Sequence, residues 1–248
     1  MKICIVSNDK RYIELNKILK EHGYDSCIKN YNESETCDVL ILSLRKELSD
    51  TALKELLSRQ DAQTLVLSGY TDKIKEYFNG RAIDYSGNET FLRDNAHLTA
   101  EATISLLHSV LQGSVKNLHI LVCGYGRIGK ELCHILFSLG ARLKVYARRE
   151  KIQAQIKADG YDLATLEDSI NCDLVINTVP SNIFTRELLD RIPINTRLIE
   201  LASPPGGFET KERVVSGAGL PGRILPISSA KIIYNAIEPL FRSRGSYT

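Results

Sequence analysis

The hexapeptide Gly124-Tyr125-Gly126-Arg127-Ile128-Gly129 has the residue types and spacing to hold a pyrophosphate. It follows the apolar run Ile120-Leu121-Val122-Cys123 and opens a segment in which Ile128, Leu132, Ile135, Leu136 and Leu139 recur at helical spacing, closed by Gly140. A glycine pattern placed between a strand and a helix is far more specific than the pattern alone. Gly124 would permit the tight turn, Gly126 would let the backbone approach the phosphates, and Gly129 would let the helix pack closely on the strand. The N–H groups and dipole of the new helix favour negative charge there, and Arg127 at its start can reach the same anion. The bland alternative is a glycine-rich turn with no ligand.

The next strand bears on which dinucleotide binds. An NAD site usually has an acid about 20 residues on, against the ribose 2′-hydroxyl. Here Leu143-Lys144-Val145-Tyr146 runs into Ala147-Arg148-Arg149, which offers two guanidinium groups to a 2′-phosphate. NADP is therefore expected, with NAD as the alternative. Ligands of open α/β sheets lie beyond the carboxyl ends of strands, so Thr178, Val179 and Pro180 after one later strand, and Ala202 and Ser203 after another, join Tyr125, Ile128 and Ala147 as expected cofactor contacts. Two further Pro/Gly segments, Pro204-Pro205-Gly206-Gly207 and Gly219-Leu220-Pro221-Gly222, have the rigid, side-chain-poor backbone that can lie against a flat nicotinamide ring.

These residues need a parallel sheet to position them, and short apolar runs alternate with helical patterns along the chain. The first half carries runs at Ile3 to Val6, Val39 to Leu42, Leu65 to Leu67 and Ala82 to Tyr85, with helical spacing through Tyr12, Leu15, Ile18 and Leu19, through Leu53, Leu56 and Leu57, and through Ile74 and Phe78. A connecting helix is expected from Thr99 to Leu111. A second series then gives strands at 119–122, 143–147, 174–177 and 198–201 and a final helix from about Ser228 to Phe241, with Ser228-Ser229 as its cap. The fold class is α/β: two doubly wound parallel-sheet domains, the second a Rossmann dinucleotide-binding domain.

Composition excludes several classes. The 248 residues carry 32 Lys and Arg against 30 Asp and Glu, a net charge of +2, so bulk attraction to nucleic acid is disfavoured. Hydrophobic residues at 43% and charged residues at 25% are those of a folding chain. Cys4, Cys27, Cys37, Cys123, Cys133 and Cys172 include no C-x-x-C pair, so no metal site is expected and the thiols read as reduced core residues of a cytoplasmic protein. No signal peptide or apolar run of membrane-spanning length, about 20 residues, is found.

The glycine loop, Gly140-Ala141, Ala147-Arg148, Ile176-Asn177-Thr178-x-Pro180-Ser181, Leu201-Ala202-Ser203-x-Pro205-Gly206-Gly207 and Gly219-Leu220-Pro221-Gly222 together resemble the A-type subunit of dipicolinate synthases. The similarity is dense from about Asn95 to Ala236 and thinner before. It departs where Ser7-Asn8-Asp9 stands for the family's Gly-Gly-Asp and where Glu200 replaces an Asp. The resemblance implies an NAD(P)-binding subunit that oxidises dihydrodipicolinate to dipicolinate in endospore formation, beside a flavoprotein-like B-type subunit, with self-association left open. It also implies a flavodoxin-like first domain of residues 1–94 joined by a returning helix at 228–248, and residues 95–227 as connecting helix and Rossmann domain.

Such a reaction needs cations for two carboxylates and a modest base. Arg223 and Arg11 are candidate clamps, since Arg offers a bidentate fork. Asn95, Thr99 and Glu101 would line the interdomain cleft by analogy with the family; read from the residues alone, Asn95 or Thr99 equally suits a helix cap, and Glu101 the helix dipole. His97 is a weaker candidate base. A D-2-hydroxyacid dehydrogenase is a rival reading, but its late acid/base histidine is missing, because no histidine follows His134. The other rival is a non-catalytic NADP-binding regulatory subunit.

Overall fold

The computed structural model describes residues 1–242; the last residues of the expected returning helix, 243–248, lie outside the described residues. The chain divides into two units, Met1–Asn95 with the chain from Pro221 onward, and Ala96–Leu220. Pro221 to Ile227 thus sits with the first unit, not with the second as the resemblance implies.

In the first unit, strands β1 (Lys2–Val6), β2 (Asp25–Ile28), β3 (Val39–Leu42), β4 (Leu65–Ser68) and β5 (Ala82–Asp84) alternate with helices α1 (Lys10–Glu21), α2 (Asp50–Ser58) and α3 (Thr71–Tyr77). All pairings are parallel, in the order β2-β1-β3-β4-β5. That is the flavodoxin-like order, whose direction reverses between β1 and β3. β3 and β4 are buried throughout, which is why they read as unbroken apolar runs. β2 escapes such a reading because it is an edge strand with only Ser26 fully buried.

Helix α4 (Glu89–Leu111) leads into β6 (His119–Cys123), α5 (Arg127–Ser138), β7 (Arg142–Tyr146), α6 (Glu150–Ala158), β8 (Asp162–Leu163), a 3-10 helix at Leu166–Asn171, β9 (Leu174–Asn177), α7 (Arg186–Arg191), β10 (Arg197–Glu200) and β11 (Val214–Ser216). The parallel order is β11-β10-β9-β6-β7-β8, the Rossmann arrangement with its reversal between β6 and β9. The chain ends through α8 (Leu220–Ile224) and α9 (Pro226–Arg242). Ala230, Ile233, Ile237 and Phe241 of α9 join Tyr12, Leu15 and Leu19 of α1 in one core cluster of the first unit.

Three local expectations are corrected. The connecting helix begins at Glu89, capped by Asn88, whose Oδ1 accepts from the Thr90 and Phe91 N–H groups at 2.8 and 3.3 Å. Asn95 and Thr99 therefore lie inside the helix and cap nothing. The final helix starts at Pro226, a residue suited to the first helical position because its missing N–H would have no partner there. Ser228 and Ser229 fall in its first turn, where the Ser229 N–H donates to the Leu225 carbonyl at 2.9 Å, so they are not the cap. The Leu220-Pro221-Gly222 segment is helical rather than an open loop.

Candidate functional site

The turn after β6 is built by close backbone packing. Gly124 has φ +96°, and a Cβ on it would lie 2.3 Å from Thr178 Oγ1; a Cβ on Gly129 would lie 2.2 Å from the Gly124 carbonyl oxygen. Only glycine fits at either position. Gly126 differs: it caps α5 with no side-chain hydrogen bond, and a Cβ there would meet nothing within 4 Å. The start of α5 is thus free of any capping side chain beside open space, which is the cradle a pyrophosphate requires.

The Tyr125 ring is buried, with its hydroxyl donating to Asp159 Oδ2 at 2.7 Å and Lys130 Nζ 5.5 Å from its centroid. Burial, then the Asp159 bond, pushes its phenol well above the usual range. Arg127 is exposed at the first position of α5, and Ile128 is half-buried. The β7 end is tied to the turn by the Gly124 N–H, which donates to the Tyr146 carbonyl at 2.8 Å. Ala147 is buried, its carbonyl accepting from Gln153 Nε2 at 2.8 Å, and Arg148 and Arg149 follow it into solvent. No acid stands at that strand end before Glu150 in the first turn of α6.

Beyond β9, Thr178 donates to the Cys123 carbonyl through both its N–H (2.8 Å) and its hydroxyl (2.9 Å), which locks this loop to the glycine turn. Val179 and Pro180 continue outward. Two buried polar side chains without an expected role hold the loop in place. Asn177 Nδ2 donates to Glu200 Oε1 at 2.7 Å and to the Val179 carbonyl at 2.9 Å, and Asn177 Oδ1 accepts from the Val179 N–H at 3.1 Å. Glu200 also accepts from the Ala202 N–H (3.0 Å) and the Gly207 N–H (2.6 Å). A Cβ at 207 would strike Asn177 Nδ2 at 2.3 Å, which accounts for the glycine. This carboxylate therefore orders 178–180 and 201–207 together, Ala202 and Ser203 included. The signal for it in the sequence is an acid in the apolar strand Leu198-Ile199-Glu200-Leu201, since a buried charge requires partners.

The remaining candidates lie on α4, α1 and α8. On α4, Asn95 and Thr99 lie four residues apart on one side; at ~100° per residue His97 lies about 200° around the helix from Asn95, and Glu101 about 200° around it from Thr99. Thr99 is buried, Glu101 and His97 are exposed, and His97 Nδ1 is 2.9 Å from Glu131 Oε2 on α5. Within the first unit, Arg11 is already engaged: its Nε and Nη2 bind Asp9 at 3.0 and 2.5 Å, and it packs where a Cβ on Gly222 would be 2.7 Å from Nε. Arg223, next to that glycine in α8, is exposed.

The fold and the glycine turn define a class, and comparison with known proteins bears it out. Residues 101–197 match the NAD-binding domain of D-isomer specific 2-hydroxyacid dehydrogenases, which supports a nicotinamide dinucleotide as the ligand of the second unit. Over 97% of its length, and 95% of the relative's, the chain is 25% identical to the A-type subunit of dipicolinate synthase from Bacillus subtilis (strain 168), so the resemblance carried by the loops holds. The crystal structure of the corresponding dipicolinate synthase subunit from Bacillus halodurans superimposes with a TM-score of 0.82 at 20% identity, covering 96% of this chain and 97% of that one. A transhydrogenase from Sinorhizobium meliloti shares the fold with a TM-score of 0.74 at 16% identity, covering 98% and 94%. Among the described residues no helix is long and apolar enough to cross a membrane.

Proposed function

We propose that the protein is the dinucleotide-binding, oxidising subunit of a dipicolinate-forming synthase, acting in the cytoplasm on dihydrodipicolinate with a flavoprotein-like B-type subunit as its partner. The observation that carries the reading is the near-full-length similarity to the A-type dipicolinate synthase subunit, supported by a glycine turn that fits a pyrophosphate.

A bound nicotinamide dinucleotide supplies a hydride acceptor, and loss of a hydride and a proton leaves the dicarboxylate with an aromatic pyridine ring. Residues 124–129 hold the pyrophosphate through backbone N–H groups. Arg148 and Arg149 select a 2′-phosphate and so prefer NADP. Thr178, Val179, Pro180, Ala202 and Ser203, set by the Asn177–Glu200 bond, shape the nicotinamide side. Arg223 attracts a substrate carboxylate, with Asn95, Thr99 and Glu101 as the further candidate substrate-side residues. Arg11, neutralised by Asp9, is a weaker clamp than its residue type suggests.

The test is reduction of NADP by dihydrodipicolinate, followed by absorbance with and without the B-type partner. Turnover in either mixture is expected; dinucleotide binding without turnover in both would leave a regulatory role instead. Replacing Arg148 by Asp and Arg149 by Ala should lower the NADP-to-NAD affinity ratio at least about tenfold, the loss of one charge-assisted contact. An unchanged ratio contradicts the assignment.

A further inference from the structure

The first unit holds a group of thiols unrelated to dinucleotide binding. Cys4 on β1 and Cys27 on β2 are register partners in adjacent parallel strands, and their sulfurs are 3.9 Å apart. Cys37, just before β3, lies beside Cys4, with its sulfur 3.4 Å from Gln60 Oε1. The Ser34 hydroxyl beside Cys4 is buried without a hydrogen-bond partner. Cys4 itself is buried, whereas Cys27, on the edge strand, is partly open to solvent.

Two sulfurs 3.9 Å apart on neighbouring strands are close enough to be joined by oxidation. The environment divides their roles. A hydrogen bond from Cys37, then one from Cys27 and the Lys2 charge, hold the Cys4 thiol below its ordinary range against the opposing effect of burial. Burial and the neighbouring Cys4 push Cys27 up. With the two sulfurs 3.9 Å apart, one thiol lowered and its neighbour raised, the pair has the spacing of a cysteine and the cysteine that resolves it. The second unit offers a contrast: Cys123, Cys133 and Cys172 are buried, and burial raises each of their thiols.

We propose that Cys4 and Cys27 are a reversible oxidation site, closing to a disulfide on reaction with a small hydroperoxide. The Cys4 thiolate attacks a peroxide oxygen, the O–O bond breaks, and the leaving hydroxide takes a proton to become water. The Cys27 thiol then attacks the resulting Cys4 sulfenic acid, forms the S–S bond and releases a second water. The two thiols together lose two electrons and two protons, and hydrogen peroxide is reduced to two waters. A small-molecule dithiol reverses the change.

The experiment treats the folded full-length chain with hydrogen peroxide, quenches with catalase, alkylates under denaturing conditions and maps the peptides by mass spectrometry without reduction. Expected are a fall from six to four titratable thiols, a linked Cys4–Cys27 peptide pair and full recovery with dithiothreitol. In Cys27→Ser the sulfenic acid should persist and be trapped on Cys4 by dimedone. Cys37→Ala should slow oxidation about tenfold, as loss of one thiolate hydrogen bond implies. Six thiols surviving in the wild type, a link through any other cysteine pair, or dimedone labelling on a residue other than Cys4 would each overturn the proposal.

Discussion

In both units the first strand is central in its sheet and turns directly into a helix, yet the two turns are finished differently. After β6 the helix start is left without a capping side chain, and the Gly126 position faces open space. After β1 the corresponding donors are already taken. Asp9 Oδ1 accepts from the Arg11 N–H at 2.9 Å, while Glu47 accepts from the Asn8 N–H at 3.1 Å and the Ser7 hydroxyl at 3.0 Å. An anion at a helix N-terminus is worth about 0.3–1 kcal/mol, and in the first unit the protein's own carboxylates collect that stabilisation and repel a phosphate. Sheet topology alone would offer a ligand crevice at both reversal points. The side chains of the turns leave only the second of the two without a capping carboxylate.

The largest effect expected from probing this contrast is at Gly129. The added methyl of Gly129→Ala would lie 2.2 Å from a backbone carbonyl that has no rotamer to yield, so the second unit should lose about 3 kcal/mol and dinucleotide binding should disappear, read by calorimetry and titration. Next is Glu200→Gln, which brings an amide donor among groups that are themselves donors: Asn177 Nδ2 and the N–H groups of Ala202 and Gly207. A loss of about 2 kcal/mol is expected, with weaker dinucleotide binding; a variant as stable as the wild type would show that this network does not hold the loops.

A smaller effect, on the other side of the comparison, concerns Asp9. Burial disfavours its charge, but hydrogen bonds from the Arg11 guanidinium and backbone N–H outweigh that and hold the carboxyl below the usual range. Because the folded form has the lower pKa, the stabilisation is present above the unfolded value of about 3.9 and is lost as pH falls through the folded one. Asp9→Asn, which keeps the cap acceptor, should cost roughly 1–2 kcal/mol at pH 7, and the gap in melting temperature should close toward pH 3. A gap independent of pH would exclude the ion pair as its source.

What the sequence makes legible follows from what local chemistry can encode. The glycine turn, Arg148 and Arg149 are contiguous, and the central strands are buried on both faces, so composition alone marks them. β2 and β11 are edge strands with mixed residues, and β8 has two residues, so they carry no comparable signal. The Asn177–Glu200 bond joins residues 23 apart, and spacing within one segment does not reveal it. The extent of α4 is hidden because Glu89 to Asp94 is mostly polar, and its true start after Asn88 puts Asn95, Thr99 and Glu101 within one helix, with Glu101 turned away from Thr99.

The central claim is that the open start of α5 receives the dinucleotide, and Gly126→Ala tests it most directly. The new methyl meets no protein atom within 4 Å, so the melting temperature should stay within about 2 °C of wild type, consistent with a small local change in stability. Binding of NADP followed by calorimetric titration should weaken at least about tenfold, equivalent to roughly 1.4 kcal/mol. Equal affinity in the two proteins, with both fully folded, would contradict the account.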